Sequence, residues 1–156
     1  MYHQVFIKGL ILDPITKRPI LLMEDSGHQR ILPIWIGAPE ANIIALQLEN
    51  IPTPRPLTHD LLCRVLESVE GRIKEVRICD CREETYFARL ILHHDGKELE
   101  VDARPSDAVA LALKNKVPIY VKDKVFTLAD RCDDCESPAD SWLQSLGTEE
   151  TGDYEM

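Results

Sequence analysis

The sequence predicts an α+β domain, an antiparallel-rich mixed β-sheet with about three packed helices. Three observations predict it. Segments that alternate apolar and polar residues come in two groups of three, the pattern of two antiparallel meanders. Each group ends in a strand that passes straight into an alanine-containing helical segment through a proline and an acid. The two junctions are Trp35-Ile36-Gly37-Ala38-Pro39-Glu40 and Asp102-Ala103-Arg104-Pro105-Ser106-Asp107. Finally, no apolar run approaches the ~18 residues of a membrane-spanning helix, and no secretory leader pattern is present. The expectation is a cytoplasmic domain that does not cross a membrane.

Tyr2 to Leu12 reads as the first strand, with Val5, Ile7, Gly9 and Ile11 on one face. Asp13-Pro14-Ile15-Thr16 is a turn signal. Pro19 to Glu24 and Gln29 to Ile36 follow as strands joined over Asp25-Ser26-Gly27. At the first junction Pro39 suits the opening helical turn, where its missing N–H costs nothing, and Ala41, Ile44, Ala45 and Leu48 form the apolar stripe. Pro52, Pro54 and Pro56 make a stiff loop. Thr58 is placed to cap the next helix, which carries Leu62, Val65, Leu66 and Val69 at helical spacing and ends at Glu70-Gly71. His59 and Asp60 fall in its first turn and are expected to be exposed.

Arg72 to Cys81, Thr85 to His94 and Lys97 to Ala103 form the second meander. Asp95-Gly96 is a two-residue hairpin signal. Counting outward from it pairs Leu92 with Leu99, Leu90 with Val101 and Ala88 with Ala103 on one face. His93 then faces Glu98, Ile91 faces Glu100 and Arg89 faces Asp102 on the other. That register gives Asp102 a structural role, neutralising Arg89, beside any chemical one. Pro105 opens the next helix, Asp107 sits in its first turn where the helix dipole favours a carboxylate, and Val117-Pro118 stops it. Ile119 to Val121 is a strand, Lys122-Asp123-Lys124 a turn, and Val125 to Leu128 a short final strand or connector.

The net charge of −9 belongs to one end. Residues 1–131 hold all 18 Lys and Arg against 19 acids, whereas residues 132–156 hold eight acids and no base. The chain therefore divides into a domain over 1–131 and an acidic C-terminal tail over 132–156, expected to be partly disordered. The nearly neutral domain offers no general basic footprint for nucleic acid.

Five cysteines without a secretory pattern argue for free thiols. Cys132 and Cys135 have knuckle spacing, and Cys79 and Cys81 share a strand face by simple alternation, so four thiolates could meet on zinc. The single Cys-x-x-Cys, placed at a boundary and flanking two aspartates, argues against zinc and against redox exchange. His93 and His94 point to opposite faces of a strand, which argues against their holding one ion.

Two stretches resemble a known family. Leu32-Pro33-Ile34-Trp35-Ile36-Gly37-Ala38-Pro39-Glu40-Ala41, followed by Ile44, and Asp102-Ala103-Arg104-Pro105-Ser106-Asp107-Ala108-Val109-Ala110-Leu111-Ala112 are similar to the two signature blocks of the bifunctional nuclease domain family. The resemblance runs over about residues 2–130 and leaves out the tail. It implies an α+β domain that self-associates as a homodimer, and a nuclease that hydrolyses phosphodiester bonds of DNA and RNA with little sequence preference.

Such hydrolysis calls for carboxylates, a group that orients water and a cation on the developing charge. The candidates are Glu40 and Asp107 as metal carboxylates for Mg²⁺ or Mn²⁺, with Asp102 as a third catalytic acid. Arg104 is the phosphate clamp, Ser106 a further phosphate contact and His59 a fallback acid or base. All of this requires the two junctions to converge. The alternative is a non-catalytic binding or regulatory homo-oligomeric module, favoured by the neutral domain and by the lack of a known nuclease motif. A thiol-based metal sensor built on the four cysteines is a third reading.

Overall fold

A computed structural model describes residues 1–27 and 29–132, with the side chains of 130–132 left aside. Residues 133–156 of the tail lie outside the described residues, and with Cys135 so does the proposed knuckle.

Among the described residues, seven strands form one sheet. They are β1 (Tyr2–Leu12), β2 (Pro19–Asp25), β3 (Ile31–Trp35), β4 (Arg72–Arg82), β5 (Thr85–His94), β6 (Lys97–Ala103) and β7 (Ile119–Lys122). Their spatial order is β3-β2-β1-β7-β4-β5-β6. The two meanders are therefore not neighbours by themselves. The four-residue β7 is the seam, antiparallel to β1 and parallel to β4. The helices are α1 (Ala38–Leu48), α2 (Thr58–Ser68), α3 (Pro105–Asn115) and α4 (Asp123–Cys132).

Two buried aspartates close the first meander. Asp13 accepts from the N–H of Ile15 at 2.9 Å and from Trp35 Nε1 at 3.1 Å, tying the first turn to the edge strand. Asp25 accepts from the N–H of Gln29 and Arg30 and from Arg30 Nε. The second meander has the register read from Asp95-Gly96, from Ala88 opposite Ala103 to His93 opposite Glu98. Both turn residues have positive φ, 50° and 68°, the conformation such two-residue hairpins need.

Several expectations require correction. The segment from Asp123 is not a turn and strand but helix α4, because Val125, Phe126 and Ala129 recur at helical spacing and bury together. Four helices are thus present among the described residues, in rough agreement with the expected three. In β1 the register shifts between Ile7 and Gly9, and the bulge moves burial from Val5 to Leu10 instead of continuing through Gly9 and Ile11. In β4 a second shift between Ile78 and Asp80 breaks the alternation between Cys79 and Cys81. Lastly, α2 is capped one residue earlier than Thr58. Leu57 is the N-cap, and its N–H is taken by Asp60 Oδ2 at 2.8 Å.

The core lies between the sheet and α1 and α3. Ile44 of α1, Val109 and Leu111 of α3, and Val76, Ile78 and Val121 of the sheet are fully buried in it. Alanines at 108, 110 and 112 let α3 lie close on its neighbours. Leu48, expected in the α1 stripe, is instead 39% exposed. The exposed apolar residues include Leu61, Leu62 and Val65 of α2, Val69 at its C-cap, and Leu99 and Val101 of the edge strand β6.

Candidate active site

The two strand–proline–helix junctions converge. Both begin the same way, with an extended N-cap residue (Gly37 or Arg104), a proline in the first turn and an acid there (Glu40 or Asp107). No side-chain hydrogen bond caps either helix. Because the helices are parallel neighbours on the sheet, their first turns meet, and Arg104 spans the gap. Its Nη1 donates to Glu40 Oε1 at 3.1 Å. Its Nε donates to Asp107 Oδ2 at 2.8 Å and its Nη2 to Asp107 Oδ1 at 3.1 Å, a two-point pairing.

His59 completes the group from α2, with Nε2 3.1 Å from Asp107 Oδ1. The expectation that His59 and Asp60 are exposed is corrected: their side chains are 12% and 15% exposed. The α2 turn packs on α3, so His59 meets Asp107 while Asp60 meets Lys114 at 2.5 Å. His59 Nδ1 is buried without a hydrogen-bond partner among the described residues. The tautomer with its proton on Nε2 satisfies Asp107 and strands only an acceptor on the other side. The opposite tautomer would bury a free N–H.

Burial of Asp107 opposes its ionisation, but Arg104 and then His59 outweigh it and hold the carboxyl below its ordinary range. The bonds Arg104 donates to Asp107, followed by the one to Glu40, raise its own pKa. Asp107 has both oxygens engaged, whereas Glu40 has Oε2 turned back over Gly37. A Cβ on Gly37 would collide with that oxygen. Gly37 thus makes room for the Glu40 carboxylate, a role that spacing alone did not reveal. The only hint was glycine three residues before an acid, the separation of a capping box.

The guanidinium itself remains open, with 64% of the Arg104 side chain exposed. Three of its five N–H groups face Glu40 and Asp107, leaving two for an anion. The assembly can therefore hold a phosphate on Arg104 beside a carboxylate oxygen, Glu40 Oε2.

Two predicted residues are not brought in. Asp102 pairs with Arg89 at 3.6 Å on the opposite face of the sheet, 67% exposed, as its register requires. Ser106 is 7% exposed, so its side chain belongs to the interior rather than to the surface that Arg104 presents. Among the described residues no three His, Cys, Asp or Glu side chains gather to hold a metal ion. Glu40 and Asp107 are near each other, but the guanidinium stands between them.

A two-layer α+β domain with an ionic cluster at paired helix N-termini matches the model of the bifunctional nuclease domain over residues 20–132. The chain belongs to the bifunctional nuclease domain family. It is 42% identical over 126 residues to an uncharacterized protein of Mycobacterium tuberculosis, covering 81% of this chain and 75% of that one. It is 33% identical over 116 residues to bifunctional nuclease 1 of Oryza sativa and 30% identical over 116 residues to bifunctional nuclease 1 of Arabidopsis thaliana. Each plant match covers 72% of this chain but only 35% and 36% of the plant protein. No described helix is long and apolar enough to cross a membrane.

Proposed function

We propose that this chain hydrolyses phosphodiester bonds of DNA and RNA with little sequence preference. The observation that carries the reading is the exposed Arg104 guanidinium, fixed by two carboxylates from two separate helix starts. The names of the plant relatives support it. Arg104 binds a phosphate oxygen and stabilises the charge that develops on it. Glu40 Oε2 orients and deprotonates the attacking water. Asp107, doubly engaged, holds Arg104 in place, and His59 holds Asp107. Asp107 and His59 are thus positioning residues, and Asp102 and Ser106 stay outside the reaction.

The residues do not present a ready metal site. A Mg²⁺ or Mn²⁺ ion on Glu40 and Asp107 would first have to displace Arg104, so no step is assigned to one. A homodimer belongs to the same reading, and the apolar face of α2 at Leu61, Leu62, Val65 and Val69 is the surface suited to it.

The test is cleavage of labelled single-stranded RNA and DNA with Mg²⁺, with Mn²⁺ and with chelator. A Glu40→Gln/Asp107→Asn variant purified identically serves as the reference. Cleavage that survives chelator and is lost in the folded variant supports the arginine-centred reaction. Cleavage lost in both chelator and variant moves the two carboxylates to a metal role. Equal cleavage by both proteins rules out this site, and none by either favours the binding module.

A further inference from the structure

Beside the ionic cluster lies a second feature that the proposed reaction does not use. The proline loop at 51–56, the end of α1, the first turns of α2 and the last turn of α3 enclose a groove of about 400 Å³. Three cations line it, Arg55, Arg64 and Lys114, against one acid, Asp60. Asp60 is already committed to Lys114. Arg55 and Arg64 make no ion pair among the described residues, although half of the basic residues of the domain do. The groove therefore carries two more positive charges than negative ones, within a domain over 1–131 that balances 18 basic against 19 acidic residues.

We propose that this groove binds the sugar-phosphate backbone of a single nucleic acid strand, with Arg55 and Arg64 contacting phosphates next to the one held by Arg104. The inference takes its direction from the nuclease reading but predicts binding that does not depend on cleavage. Four features carry it. Position is the first: consecutive residues of α2 face the two places, His59 toward Asp107 and Asp60 toward Lys114. Asp107 and Lys114 are seven residues apart on α3, ~10 Å at the helical rise, so one short strand can touch both.

Stiffness is the second. Pro52, Pro54 and Pro56 fix the loop that carries Arg55, which lowers the ordering cost of binding. The third is electrostatic: the ends of α1 and α3 and the start of α2 meet here, two negative partial charges of about half a unit against one positive, a small excess that the two arginines outweigh. The fourth is the lining, which contains no aromatic side chain. Without a stacking platform the groove reads backbone rather than bases, in keeping with low sequence preference.

The experiment measures binding of the full chain to labelled 12-nucleotide DNA and RNA strands with hydrolysis-resistant phosphorothioate linkages, by fluorescence anisotropy over a range of salt. The wild type, Arg55→Ala/Arg64→Ala and a charge-matched Lys17→Ala/Arg18→Ala control are compared. Cleavage by the wild type is recorded separately. The groove variant is expected to bind on the order of tenfold more weakly, with the log–log salt slope reduced by about 1.4 for two lost phosphates. The control is expected to match the wild type. Equal loss in the control, unchanged binding by the groove variant, or no binding by the wild type overturns the groove, whether or not the wild type cleaves. A specific loss in the groove variant with no cleavage by the wild type supports the groove and removes the nuclease reading instead.

Discussion

Two regions of this protein share one plan, an Asp that holds a His and an Arg and a second acid that the Arg also reaches, and they differ in how far the arginine is open. In the first, Asp107 holds His59 and Arg104, and Arg104 reaches a second acid, Glu40. In the other, Asp123 holds His3 and Arg30, and Arg30 reaches a second acid, Asp25. Each Asp lies in the first turn of a helix and each Arg spans two carboxylates. The difference lies in the guanidinium. Arg30 packs on the Phe126 ring with its centre 4.2 Å from the centroid, and its stronger partner Asp25 is buried. The N-terminal amine at 3.7 Å and His3 are further partners of Asp123. Among the described residues no ring lies over Arg104, whose side chain is 64% exposed, against 37% for Arg30. The same ionic pattern is a clamp where an aromatic ring covers it and a candidate site where it is bare.

The largest effect expected is on cleavage. Glu40→Gln removes the base while keeping size and one hydrogen-bond acceptor, and should slow hydrolysis by ~10²–10⁴ with an unchanged melting temperature. Exchanging the arginines separates the two regions next. Arg104→Ala should reduce kcat/KM by ~10²–10³ and leave stability nearly untouched, since the lost pairs are exposed. Arg30→Ala should do the reverse, costing about 1–2 kcal/mol in urea unfolding while cleavage persists. Equal loss of cleavage in both arginine variants would erase the distinction.

Smaller effects sharpen it. Gly37→Ala is tolerated by the fold, because the atom it meets is the far end of a flexible side chain. The Glu40 carboxylate must move, however, so a several-fold fall in kcat at constant KM is expected, on the order of 1 kcal/mol in the barrier. The smallest effect is in acid. Burial works against the Asp25 carboxylate, but its bonds from Arg30 and Gln29 prevail and hold its pKa below the ordinary 3.8. A carboxylate with a depressed folded pKa contributes stability above the unfolded value and loses it as pH falls through the folded one. Asp25→Asn lacks that contribution. It should therefore be less stable at neutral pH and show a shallower fall in urea midpoint below pH ~4.

Local rules carried much of this structure. Asp95-Gly96 and two-residue alternation set the β5–β6 register residue by residue, because a hairpin turn fixes everything counted from it. Proline and acid after a strand marked both helix starts correctly. The errors came where local cues compete. Val125 to Leu128 is too short for strand and helix periods to be told apart, and burial of Phe126 under Arg30 decided for helix. The bulges in β1 and β4 insert one residue with no composition signal, yet each reverses which side chains are inside.

By itself the sequence determined the α+β class, the two meanders, the two proline-led junctions and the residues worth suspecting at them. These follow from the nearest few neighbours along the chain. Only the tertiary structure decided that β7 seams the meanders together and sets α1 beside α3, which brings Glu40 within reach of Arg104 across 64 positions of chain. It also buried Ser106, turned Asp102 to the opposite face and drew His59 from a helix surface onto Asp107. Contact between distant residues depends on how whole elements pack, and no local pattern records that.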